Sequence, residues 1–353
     1  MSKLMKKDFK VVENFKWISL ISIIIVIAAV VCVIVRGGVN FGIDYTGGGK
    51  VEIELGSFGT NENVQKAFED KYTKFIEEKG FKVVDRMQIS TSGEGATYEF
   101  RLAYELNGEK FGNSAAQQEK FKFALNGDDA DSTVNGLRGD LETSIKDYFE
   151  TDATMVAEGA KYDEGSVRIY MVGATATSSL LSASIWAIVV ALVVILVYII
   201  IRFTFLSGIA AVIALIHDVV IMCALTIIFN IPVNSTFIAA VITIIGYSIN
   251  SSIVVFDKVR ECLKSTAFAY ATDTEIANYS IKHSFIKILL SIVTTLIMVV
   301  AVVLFAVSTI QEFVLPIIFG LISGLLSSLC LSPSLWVAFR KLSKKNKKEE
   351  KKA

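Results

Sequence analysis

Two polar residues inside a long apolar run carry the clearest chemical signal in this sequence. His217 and Asp218 lie about twelve residues into the stretch 205–229, which holds no other charged side chain. A helix of that length crosses a bilayer, so the pair falls near mid-depth. Burial penalises the ionised form of a carboxyl group, which makes an acid in hydrocarbon a natural point of proton exchange. The same two side chains serve equally well as a hydrogen-bonded tie between helices, and their types alone leave both readings open.

A second concentration follows. Tyr247, Ser248, Asn250, Ser251 and Ser252 place five polar side chains within six positions near the end of the run 233–256. Serine and asparagine often act only as glue between helices, but this density asks for more than glue. Gly246, just before them, would permit close helix approach. Asp257, Lys258, Arg260 and Glu261 follow at the expected surface. Lys287 opens the next run; it either reaches toward Asn250–Ser252 or extends to the interface, as lysines near helix ends do. Gly320 and Gly324 have the spacing of a close-packing face and lead to Ser327 and Ser328, with Pro316 a candidate kink upstream.

Other chemistries find little support. The four cysteines (Cys32, Cys223, Cys262, Cys330) and two histidines (His217, His283) show no metal-ligand spacing, so neither a metal nor another cofactor is expected. The Gly-rich stretch Phe41–Gly49 precedes a predicted strand rather than a helix, which argues for a tight turn and against a nucleotide cradle. No nucleophile–base pair is visible, so an enzyme is not expected, and nothing points to nucleic acid.

The elements that must position these residues are apolar runs. With 53% hydrophobic residues and a mean hydropathy of +0.54, the chain exceeds the usual composition of soluble domains. The excess falls in six blocks, 17–35, 180–201, 205–229, 233–256, 285–307 and 312–339, each long enough to span ~30 Å of hydrocarbon. The first follows a basic tail, 1–16, and is too long for the core of a cleaved signal peptide. Charge divides sharply: residues 36–178 hold 16 Lys and Arg against 25 Asp and Glu, a net of −9, and the remainder holds 19 against 10, a net of +9. Arg202, the connector 257–284 and the tail 340–353 carry basic residues, whereas the turns near Asn230–Pro232 and Ser308–Gln311 carry none. By the positive-inside rule both termini are cytoplasmic and the domain 36–178 is extracytoplasmic. The expected setting is thus the lipid bilayer of the cell membrane, crossed several times.

Within 36–178 the patterns predict a strand at Val51–Leu55, a helix from a cap at Asn61 to Lys79 burying Val64, Phe68, Phe75 and Ile76, strands at Lys82–Ile89 and Ala96–Tyr104 joined by a turn at Gly93–Gly95, a helix at Leu137–Phe149 and a strand at Ser166–Met171. Residues 106–136 read as a polar insertion. The order β-α-β-β-α-β is that of a ferredoxin-like fold. The expected fold class is therefore an α-helical polytopic membrane protein with six transmembrane helices and an inserted α+β domain.

Together these residues resemble the SecF family, a subunit of the bacterial SecD–SecF protein-export complex within the RND-type transporter superfamily. The resemblance rests on Gly42-Ile-Asp44-Tyr-Thr-Gly47-Gly48 after the first run, on His217–Asp218, on Ile245–Asn250 with Phe256–Glu261 (including Asp257 and Arg260), and on Gly320, Gly324, Ser327 and Ser328. It implies one half of an RND-type transporter, pairing with a SecD-like subunit and acting beside the SecYEG channel and a YidC-type insertase on translocating polypeptide, driven by the proton-motive force. It also implies a proton path through an acid in the fourth run and an arginine in the fifth. This chain departs there: Ser251 stands at the acid position, Ser252 and Ile288 replace threonines, and Lys287 replaces the arginine. The expectation that follows is a weakened proton site in this subunit, with Asp218 or an acid of the partner carrying the coupling. The competing expectations are an exporter half for small molecules or lipids and a non-conducting insertion scaffold.

Overall fold

The computed structural model describes residues 11–13, 15–54, 62–92, 95–111, 114–127, 136–152, 166–305 and 308–350. The chain divides into two compact units. One holds the residues up to Asn40 with Ser184–Phe305 and those from Glu312 on; the other holds Phe41–Ala183 with Ala306–Gln311.

After α1 (Phe15–Arg36) the α+β unit opens with a one-turn helix, α2 (Ile43–Thr46), and continues through β1 (Gly48–Glu54), α3 (Glu62–Glu78), β2 (Phe81–Ser92), β3 (Gly95–Leu106), β4 (Glu109–Lys110), α4 (Ala115–Asn126), α5 (Leu137–Thr151) and β5 (Val167–Val172). The sheet order is β2-β3-β1-β5, every pair antiparallel, with β4 added on β3. This is the split βαβ order. Alternation in β1 buries Val51 and Ile53 and turns Lys50 and Glu52 the other way. Phe68, Tyr72 and Ile76 recur at helical spacing on α3, as Leu137, Leu141 and Ile145 do on α5, and all are buried. The Tyr72 hydroxyl donates to the Ser144 carbonyl at 3.1 Å and ties α3 to α5.

The stretch 106–136 is more than a polar insertion. It supplies β4 and α4, and Phe111, Phe121 and Leu125 enter the core beside Phe81 and Tyr104. Two large apolar side chains one turn apart, Phe121 and Leu125, are enough to anchor α4 among many polar residues. The cap proposed at Asn61 and most of the Gly93–Gly95 turn lie outside the described residues, as does the side chain of Val64.

The helical unit is built from α1, α6 (Ala174–Arg202), α7 (Phe205–Ile228), α8 (Ser235–Lys264), α9 (Asp273–Phe305) and α10 (Ser308–Leu326), which passes through a π-helical turn (Ser327–Leu331) into α11 (Ser332–Glu350). Among the described residues these give six helical stretches long and apolar enough to cross a membrane. α1 and α6 are rich in Ile and Val, poor helix formers in water. In hydrocarbon the backbone has no other donor or acceptor to satisfy it, so helix is enforced. Only 6% of the apolar window in α1 and in α6 is buried, against 44% in α7, 50% in α8 and 56% in the last span, so the core lies among the third, fourth and sixth spans.

The polar connector 257–284 is mostly helical. α8 runs on to Lys264, a 3₁₀ turn covers Thr266–Phe268, and α9 begins at Asp273. Thr272 and Glu275 explain the start: the Thr272 backbone N–H donates to Glu275 Oε2 at 2.7 Å, and the Glu275 N–H donates to Thr272 Oγ1 at 3.3 Å. This reciprocal capping box satisfies two donors that a helix start otherwise leaves open.

Candidate functional site

Thr204 caps α7 by accepting from the Ser207 N–H, and the helix then runs without interruption to Ile228. Asp218 therefore sits ~20 Å along a helix with 1.5 Å rise per residue. It is 0% exposed. Three serine hydroxyls donate to its carboxylate: Ser248 Oγ to Oδ2 at 2.6 Å, Ser327 Oγ to Oδ2 at 2.6 Å and Ser323 Oγ to Oδ1 at 2.7 Å. His217 Nδ1 lies 3.3 Å from Oδ1, and its Nε2 lies 2.8 Å from Ser22 Oγ on α1. With Nδ1–H donating to the acid, Nε2 accepts the Ser22 proton, so one neutral tautomer serves both contacts. The third span is thus joined at one point to the first, fourth and sixth.

Glycine makes that approach possible. A Cβ on Gly320 would lie 2.5 Å from the Ile244 side chain, and one on Gly324 would lie 3.2 Å from Ser248 Oγ. Gly320 and Gly324 face Ile244 and Ser248, two pairs with the same spacing of four, so the sixth span lies flush on α8. The π turn begins at once after this face, with Ser327 and Ser328 fully buried. Such turns recur at functional positions because they re-aim side chains within a helix. Two further hydroxyls nearby in sequence, Ser252 Oγ on α8 and Ser332 Oγ at the start of α11, are buried without a hydrogen-bond partner among the described residues.

The remaining candidates separate from this centre. Ser251 is buried, but Asn250 and Lys287 are exposed on the surface of the helical unit, and among the described residues Lys287 has no ion-pair partner. Tyr247 joins α8 to α9 through Thr295 Oγ1 at 2.5 Å and the Ser291 carbonyl at 2.9 Å. Gly246 does not serve helix approach within this chain, since a Cβ there would meet nothing within 4 Å. Asp257 reaches Arg202 at 3.5 Å and Arg260 donates to the Arg202 carbonyl at 3.3 Å, which ties the end of α8 to the end of α6.

In the other unit, Gly42 precedes α2, which contains Asp44, and Gly47 ends it with φ of 73°. Gly48 has φ of 147°, and a Cβ there would lie 2.1 Å from the Leu102 carbonyl oxygen, so only glycine fits where β1 meets β3.

Ser22 and Ser323 were not singled out by the sequence pattern. The signals were present: Ser22 is an isolated hydroxyl in an aliphatic run, and Ser323 precedes Ser327 by one turn. Asn234 was also missed; it caps α8 through the Phe237 N–H and donates to Glu312 at 2.9 Å, both side chains being buried.

A six-span helical unit with one α+β unit inserted after the first span, and a carboxylate sealed among its third, fourth and sixth spans, defines a polytopic membrane protein. Comparison with known proteins gives its family. Residues 153–342 match the family described as protein export membrane protein SecD/SecF, C-terminal. The protein translocase subunit SecF of Sebaldella termitidis is 30% identical over 216 residues, which cover 60% of this chain and 68% of that protein. The subunit SecDF of Bacillus subtilis is 33% identical over 170 residues, 48% of this chain and 23% of its own length. The crystal structure of SecDF from Thermus thermophilus, a translocon-associated membrane protein, superposes with a TM-score of 0.65 at 23% identity, covering 96% of this chain and 39% of that one. The chain belongs to the SecD/SecF family of protein-export membrane proteins.

Proposed function

We propose that this chain is a SecF-type auxiliary subunit of the Sec protein translocase, that it pairs with a SecD-type subunit, and that Asp218 is the group through which it draws on the proton-motive force. The match to SecF proteins along most of their length supports the export role. The occurrence of SecD and SecF sequences in one chain, as the SecDF name indicates, supports the pairing. SecYEG, a YidC-type insertase and the emerging polypeptide are the further partners this reading assigns. The basic loops support a cytoplasmic location for both termini. No enzymatic step is assigned.

The observation that carries the coupling role is the hydroxyl cage around Asp218. An ionised carboxylate only accepts, at about four lone-pair positions. Three serines and His217 supply donors for such a set. A proton arriving on the acid makes it a donor on one side, so at least one of these contacts must break or turn. Because the contacts come from different spans, protonation acts directly on how those spans pack. Ser252, a helical turn beyond Ser248 and buried without a hydrogen-bond partner among the described residues, is a further hydroxyl on the same helix available to such an exchange. Each charge moved across the membrane is worth ~2.3 kcal/mol per 100 mV, enough to bias such a rearrangement.

The test is proton flux and export in vesicles that contain this chain with its SecD-type partner. Asp218→Asn should abolish flux and reduce export to the level seen without a membrane potential. Undiminished flux in that variant would refute the role of Asp218. One observation favours a second reading: Asn250 and Lys287 stand exposed, and among the described residues Lys287 has no ion-pair partner. Wild-type vesicles that promote insertion without any proton flux would select the non-conducting scaffold.

A further inference from the structure

A cavity of about 360 Å³ opens at the end of the helical unit that carries the basic loops. Its lining comes from three spans: Thr204 and Leu206 at the start of α7, Leu263 at the end of α8, and Trp336, Arg340 and Lys344 on α11. The two cations share a single acid. Arg340 Nε lies 3.3 Å from Asp273 Oδ1, and Lys344 Nζ lies 2.6 Å from Asp273 Oδ2. One positive charge is left over, and because Arg340 engages through Nε, its two Nη groups remain as a fork for another anion. Its guanidinium centre lies 5.1 Å from the Trp336 ring centroid, which holds the fork in place. Trp336 is 1% exposed and Leu206 and Leu263 line the remaining wall, so the cavity is charged at one side and greasy at the other. The first turn of α7 adds backbone N–H groups and the positive end of a helix dipole.

We infer that this cavity binds the headgroup of an anionic phospholipid, with the phosphate between Arg340, Lys344 and the α7 N-terminus and an acyl chain along Leu206 and Leu263. Basic pockets between spans at a membrane surface have the chemistry for such headgroups. A free phosphate shares the anion but gains nothing from the apolar wall, and that difference decides the source. The inference stands apart from the export reading and does not depend on it.

Native mass spectrometry of the full chain, released from bilayers of mixed phosphatidylglycerol and phosphatidylcholine, tests it. Wild type should retain phosphatidylglycerol selectively, and the double variant R340Q/K344Q should retain about tenfold less, given the loss of two surface cations. A tail variant, K347Q/K348Q/K351Q/K352Q, removes four charges from the sequence that follows Lys344 and should retain the lipid as wild type does. Asp273→Asn keeps both cations and removes their competing acid, so it should retain more, and it serves where the double variant fails to fold. Unchanged retention in R340Q/K344Q, an equal loss in the tail variant, a loss in Asp273→Asn, or displacement of the lipid by millimolar inorganic phosphate would each overturn the assignment.

Discussion

Ser248 on α8 donates to Asp218 on α7 at 2.6 Å, and Gly324 of the sixth span lies against that bond, where a Cβ would come within 3.2 Å of Ser248 Oγ. The bond spans thirty residues of sequence and lies where three helices meet. Its energetic weight follows from its setting. Hydrogen bonds to charged groups contribute about 1.5–3 kcal/mol, and removing one partner leaves the other buried and unsatisfied.

Ser248→Ala and Ser327→Ala should therefore each lower stability by about 1.5–3 kcal/mol, read from unfolding in a denaturing detergent. Each loss should shrink in an Asp218→Asn background, where the charge is gone. Additive losses across the double-mutant cycle would show that the serines act independently of the acid.

Two glycines in neighbouring spans should respond in opposite ways. Gly320→Ala places a methyl group 2.5 Å from Ile244 and should cost about 1–3 kcal/mol by overpacking. Gly246→Ala meets open space within a helix and should be neutral or stabilising by about 0.4–1 kcal/mol. The same unfolding titration measures both, and a stabilising Gly320→Ala would mean that the α8 contact is looser than described.

The α+β unit should lose stability in alkali. Burial pushes the phenols of Tyr72 and Tyr98 above their ordinary value of 10.0, against the lowering effect of the Ser144 hydrogen bond at Tyr72. A raised acid is bound to its proton more tightly in the folded state, so this stability is complete below pH ~10 and falls as pH rises further. Tyrosinate absorbance followed against pH should show these two phenols titrating only with unfolding. Tyr72→Phe and Tyr98→Phe should blunt the loss.

Restoring the family pair is the direct test of the departure in the fourth and fifth spans. Ser251→Asp with Lys287→Arg should raise proton flux above wild type in vesicles with the partner, whereas Ser251→Asp alone should do less, because its charge would lack a matched cation. Ser251 is buried and Lys287 exposed, so part of the gain depends on the arginine reaching inward. No gain in the double variant, beside robust wild-type flux, would show that coupling here never ran through those positions.

Much of the architecture was readable because lipid imposes a simple rule. A run of aliphatic residues long enough to cross hydrocarbon must be helical, so six spans and the interrupted sheet pattern followed from residue types and periodicity. Asp218 stood out for a related reason, since a lone acid in such a run is costly unless it has a use. What periodicity cannot report is distance between spans. It placed Asn250 and Lys287 among the candidates beside Asp218, yet the helix faces turn both outward, and Ser22 and Ser323 take up contacts there instead. It made 106–136 an insertion, because three well-placed apolar residues vanish in a polar average until a core exists to receive them. The single chain determined which groups are expensive to bury; only the packing of one helix on another decided which partners meet that expense, because a hydrogen bond depends on ångströms that no spacing along the sequence contains.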